Sequence, residues 1–100
     1  MDFQELQDKI YQNALAYGKK FKVKIDEDFA LLKFYEEAGE LAQAVLIYHK
    51  KSRPEKHVDQ ETSKQKIAAE LADVLGMAIV IAQVMDIDLI GALNKKWLKQ

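Results

Sequence analysis

Apolar residues recur along this chain at three- and four-residue steps, the spacing that puts side chains on one face of an α-helix. Phe3, Leu6, Ile10, Asn13, Ala14 and Tyr17 make the first stripe, with Phe3 and Tyr17 as its core residues. Gly18 and the basic stretch Lys19 to Lys24 are expected to end it. Asp26 or Asp28 then caps a second helix reaching about Lys51, its apolar positions running from Leu31 and Leu32 through Tyr35 and Leu41 to Val45 and Leu46. His49, Lys50 and Lys51 suit the negative end of that helix, and Pro54 prevents its continuation. The polar stretch from Ser52 to Glu61 reads as a loop. Thr62-Ser63-Lys64-Gln65 matches a capping box that opens a third helix to about Met85. Asp88 caps a short fourth helix through Ala92, Leu93 and Trp97, whose indole is expected to close the end of the bundle. With no strand-like alternation of useful length, the pattern predicts one all-α domain over residues 1–100. It is a four-helix bundle whose second and third helices pair as an antiparallel hairpin.

The third helix changes the picture. After Asp73 it reads VLGMAIVIAQVM, apolar nearly all round, and such a helix must be covered on every side. Three partners of similar size within one protomer are too few to do this, so the bundle is expected to be completed by homo-oligomerisation, as a dimer or tetramer. The competing arrangement is a central helix wrapped by the other three.

Composition narrows the function. A net charge of −1 gives no general attraction to nucleic acid or to a membrane surface. The lack of cysteine excludes disulfides, thiolate zinc sites and cysteine nucleophiles. The start, MDFQELQDKI, has neither the basic residues nor the apolar stretch of a secretory signal. The longest apolar run, Val74 to Ala82, falls short of the roughly 18 residues of a membrane span. The expectation is a soluble cytoplasmic protein with no nucleic-acid or membrane partner.

The chemistry lies in two acidic motifs, Glu36-Glu37-Ala38-Gly39-Glu40 on the second helix and Glu70-Leu71-Ala72-Asp73 on the third. At about 100° per residue, the carboxylates of each motif share a helix face. An EExxE pattern is often surface decoration paired with lysine, and Lys33 stands one turn before Glu36. Here, however, small and apolar residues surround the motif, and Glu70 and Asp73 are the only acids between Gln65 and Val84. Carboxylates set against apolar packing need a compensating cation. Oxygen-only donors favour magnesium, manganese or calcium, and magnesium held by carboxylates points to phosphate chemistry. A di-iron bundle requires Glu-x-x-His, whereas Glu37 and Glu70 are followed three residues on by Glu40 and Asp73. His49 and His57 have no acid–base partner in the sequence and read as surface histidines.

The segments LLKFYEEAGELAQAV and IAAELADVLGMAIVIAQVMDIDL resemble the KLxEExGELAxAV and ELADVLxxxxxLAxxxGIDL patterns of MazG-type nucleoside triphosphate pyrophosphohydrolases, over roughly residues 28 to 98. The resemblance implies a MazG-like bundle that cleaves a nucleoside triphosphate between its α- and β-phosphates, giving a monophosphate and pyrophosphate, in the cleaning of nucleotide pools. Carried over by position, Glu37, Glu40, Glu70 and Asp73 would hold Mg2+, with Mn2+ a possible substitute. Glu36 would be the catalytic base, a ligand of a second metal, or a group supporting the ligands. Asn94 and Lys95 stand where relatives carry side chains facing the substrate phosphates. The rival readings are the related phosphoribosyl-ATP pyrophosphatase, whose third-helix motif usually runs into Asp-Leu-x-x-His, and a non-catalytic helical module whose acids bind a basic partner.

Overall fold

A computed structural model describes residues 1–98, which form four α-helices and, among the described residues, no strand. They are α1 (Phe3–Phe21), α2 (Glu27–Tyr48), α3 (Gln60–Val84) and α4 (Leu89–Leu93). A 3-10 turn, Pro54–Lys56, lies in the α2–α3 loop, and α4 continues into a widened π-type turn over Asn94–Leu98.

Each α-helix begins at an aspartate. Asp2, Asp26, Asp59 and Asp88 accept from the amides of Glu5, Phe29, Thr62 and Gly91 at 2.8, 2.9, 3.3 and 3.0 Å. Each carboxylate thus satisfies an orphan amide and sets negative charge at the positive helix end. Asp59, three residues before the Thr62 amide, starts α3 at Gln60, ahead of the capping box expected at Thr62. The helix ends share a device too. Lys22, Lys50 and Asp86 adopt left-handed backbone with φ of 58°, 56° and 55°. The amide after each donates to a carbonyl five residues back: Val23 to Gly18, Lys51 to Leu46 and Ile87 to Ala82, at 2.8, 2.9 and 2.7 Å.

Gly18 therefore does not end α1, which continues to Phe21. Its role is close packing: a Cβ there would sit 2.5 Å from the Val23 carbonyl oxygen and 2.7 Å from Ile25 Cγ1. The returning segment lies directly on bare helix backbone.

α2 and α3 pair antiparallel, tied at the loop end by Gln60 Nε2 donating to Tyr48 Oη at 3.1 Å. Half-buried His57 spans the same loop, its Nε2 lying 3.2 Å from the Ser52 carbonyl oxygen. α1 packs along the C-terminal half of α3. The fully buried apolar set is small: Ala30, Ala44, Ile79, Val80 and Ala82. Leu31, Leu32 and Tyr35 on α2, and Leu71 and Leu75 on α3, are exposed. Two aromatic residues depart from expectation. Trp97 does not close the bundle but is 76 % exposed, because the chain leaves α-helical geometry after Leu93 and α4 packs chiefly on its own following turn. Tyr17 is no core residue; it is 44 % exposed and lines an open cleft.

The chain exposes too much surface for a closed bundle. Its accessible area is 7695 Å², against about 5,800 Å² expected of a folded monomer of this mass. The radius of gyration is 15.9 Å, where about 13 Å is usual for a compact domain of this length. α3 is also more apolar than its longest uninterrupted run suggests. Over eighteen residues its mean hydropathy is 1.9 and only 22 % of that stretch is buried. By length and composition alone it is apolar enough to cross a bilayer, which corrects the expectation drawn from Val74–Ala82.

Candidate metal centre

Antiparallel pairing of α2 with α3 brings the two acidic motifs face to face. Carboxylate oxygens of Glu37, Glu70 and Asp73 all lie within 4.8 Å of one another. Glu70 is buried, with a side chain only 7 % exposed, and Glu37 is nearly so at 12 %; Asp73 opens to solvent. Ordinary helical spacing does the positioning: Glu70 and Asp73 are one turn apart on α3, and Glu37 faces them from the middle of α2.

The electrostatics are those of a site short of positive charge. Lys66 Nζ reaches Glu70 Oε1 at 3.0 Å, and that hydrogen bond raises the lysine's pKa above its usual value. Lys33 Nζ lies 2.5 Å from Glu36 Oε1 and 4.0 Å from Glu37 Oε1; its pKa is raised, first by the hydrogen bond to Glu36. These contacts leave Glu37 Oε2 and Glu70 Oε2 buried without any hydrogen-bond partner. Burial and the negative charges of Glu40 and Asp73 push the Glu37 carboxyl up to about 7, with Lys33 opposing. An orphaned buried carboxylate oxygen is costly. Two of them, on facing helices, suit a hard divalent cation that takes oxygen ligands.

Glu40, one turn beyond Glu37 on the same face, is exposed and lies outside the three converging carboxylates, acting on Glu37 through its negative charge. Glu36 is 58 % exposed and held by Lys33 at the rim. Asn94 and Lys95 lie in the π-type turn beyond α4, both exposed. Asn94 shares a groove with Phe3 and Gln4 at the start of α1. α3 continues about 16 Å past Asp73 before the chain turns toward α4. Within the chain, then, the carboxylates of α2 and α3 converge, whereas Asn94 belongs to the other end of α3. Lys66 lies outside both acidic motifs and is not among the residues expected at the site, although its four-residue spacing from Glu70 was the available signal.

A family model described as the MazG nucleotide pyrophosphohydrolase domain matches residues 27–99. Neither a curated protein nor a solved structure matches the chain.

Proposed function

The chain belongs to the MazG nucleotide pyrophosphohydrolase family, and from that premise we propose that it hydrolyses nucleoside triphosphates to monophosphate and pyrophosphate with Mg2+, in the sanitation of cytoplasmic nucleotide pools. The observation that carries the reading is the pair of orphaned buried oxygens, Glu37 Oε2 and Glu70 Oε2, in an all-oxygen donor set with Asp73. Glu37, Glu40, Glu70 and Asp73 would hold the metal. When bound, Mg2+ or Mn2+ neutralises phosphate oxygens and acidifies an attacking water.

The remaining work falls to the chain's own groups. Lys33 fixes the Glu36 carboxylate at the solvent side of the cluster, where Glu36 accepts the proton of the attacking water. Lys66 holds Glu70 in place through its Oε1, leaving Oε2 free for the cation. Asn94 and Lys95 bind phosphate oxygens, with a neighbouring subunit supplying them to the site, since their own protomer carries them away from it.

That last step rests on assembly. The accessible surface exceeds the monomer expectation by roughly 1,900 Å², more than the about 800 Å² per partner of a standard interface and in keeping with an obligate one. The exposed leucines of α2 and α3 make a second copy the natural cover for α3. A bilayer is the poorer cover, because Glu70 and Asp73 lie within the apolar stretch and face Glu37 rather than a pore or lipid.

The test is product analysis by ion-exchange chromatography on a panel of canonical and modified triphosphates, with Mg2+, beside Glu37→Ala. The reading requires monophosphate and pyrophosphate, lost in the variant. Diphosphate and orthophosphate, or no turnover of any triphosphate, refutes it.

A further inference from the structure

Gln7 interrupts the apolar stripe of α1 between Leu6 and Ile10, yet it is only 4 % exposed. A buried amide is costly unless it is hydrogen-bonded. None of the hydrogen bonds among the described residues reaches the Gln7 side chain. It lines instead a cavity of about 320 Å³ between the first turns of α1 and the chain leaving α3. Gln4, Gln83, Asp86 and Asp88 line the same space. Asp88 Oδ1 accepts from the Gly91 amide, but no lysine or arginine pairs with Asp86 or Asp88 among the described residues. Gln4 and Asp88 also border a second groove of about 490 Å³, walled by the apolar side chains of Phe3, Ile90 and Leu93. The two spaces therefore adjoin. Gln83 stands about 15 Å along α3 from Asp73, which separates this region from the metal centre.

We propose that this cavity and groove bind a linear aliphatic primary amine, with its ammonium among Asp86, Asp88 and Gln7 and its methylene chain along Phe3 and Leu93. An ammonium brings three N–H donors and no acceptor. The cavity supplies the complement: two carboxylates to balance the charge and the Gln7 carbonyl oxygen as a neutral acceptor. A metal ion alone fits the space poorly, since about 320 Å³ is about ten times the volume share of one water. The apolar wall beside the acids gives a chain attached to the ammonium a surface to cover, as the stem of a lysine does. The inference does not depend on the triphosphate reading, because it uses none of the residues of that site.

Calorimetric titration of the full chain at pH 7 tests this with butylamine, methylamine and Ca2+ as probes. Excess Mg2+ in the buffer competes with the amines for the Glu37, Glu70 and Asp73 carboxylates. Butylamine is expected to bind saturably, and at least about tenfold more tightly than methylamine because its extra methylenes lie on the groove. Gln7→Leu should weaken butylamine by about tenfold or more, as it removes an acceptor for a charged donor. Asp86→Asn should weaken it by about three- to fivefold, the smaller effect of an exposed charge. Asparagine tolerates the left-handed backbone at that position, so this variant decides alone should Gln7→Leu fail to fold. Glu70→Ala should leave butylamine affinity unchanged. No saturable butylamine binding, equal affinity for the two amines, or unaltered affinity in Asp86→Asn overturns the proposal. So does loss of binding in Glu70→Ala, which would place the amine at the metal centre. Ca2+ binding that is sensitive to Asp86→Asn, with no amine binding, overturns it in favour of a metal site.

Discussion

Replacing Glu37 with glutamine should stabilise the metal-free protein and weaken the metal-bound one, an inversion a merely structural carboxylate would not produce. Without metal, Glu37 is pushed from an ordinary 4.5 up to about 7, chiefly by burial and then by Glu40 and Asp73. A carboxyl with a raised folded pKa contributes stability that is fully present below pH 4.5 and is lost as pH rises through about 7. At pH 8 the folded state therefore carries an ionised group it would rather protonate. A glutamine at this position relieves it. The shift sets a ceiling of about 3 kcal/mol. Asp73 and Glu40 are exposed, so solvent screening brings the expected gain to about 1–2 kcal/mol. That corresponds to a melting temperature higher by about 5–10 °C for a domain of this size. At pH 5 most of the difference should vanish, because the wild-type carboxyl is then protonated in the folded state. With Mg2+ at one hundred times its dissociation constant, the wild type gains about 2.7 kcal/mol by mass action and Glu37→Gln gains less. Thermal melts by circular dichroism at pH 5 and pH 8, in chelator and in Mg2+, give all four values. A Glu37→Gln protein less stable than wild type at pH 8 in chelator, or a difference independent of pH, refutes the reasoning.

Further outcomes follow from single positions. Gly18→Ala should destabilise by about 1–3 kcal/mol through collision with Val23 and Ile25, whereas Gly76→Ala should stabilise by up to about 1 kcal/mol; urea denaturation compares the two signs. Lys50→Gly should add about 0.5–1 kcal/mol, because a left-handed residue at φ 56° ends α2, and the same titration reads it. If the chain self-associates through α3, Leu75→Glu, at an exposed position on that helix, should lower the sedimentation mass toward that of a single chain, and an unchanged mass would refute an interface there.

Helix number, order and hairpin pairing were legible because each helix carries an apolar stripe and an aspartate at its start. The boundaries were less so. No glycine marks the ends of α1, α2 or α3, where Lys22, Lys50 and Asp86 take the left-handed position instead, and the glycine that looked like a terminator, Gly18, is a packing contact. Asp59 was hidden behind a better-known motif three residues later. The convergence of Glu37, Glu70 and Asp73 was legible from spacing plus apolar surroundings, since antiparallel helices with acids near their middles must bring them together. The places of Trp97 and Tyr17 were not, because amphipathic spacing marks a helix face as apolar without saying what packs against it.

The most direct measurement is calorimetric titration of the metal-depleted protein with Mg2+ and Mn2+, wild type beside Glu70→Ala. If Glu37, Glu70 and Asp73 converge on the metal, the wild type binds saturably and the variant at least about tenfold more weakly, since a buried carboxylate ligand is gone. Equal affinity in the two proteins, or no binding to the wild type, would contradict the account.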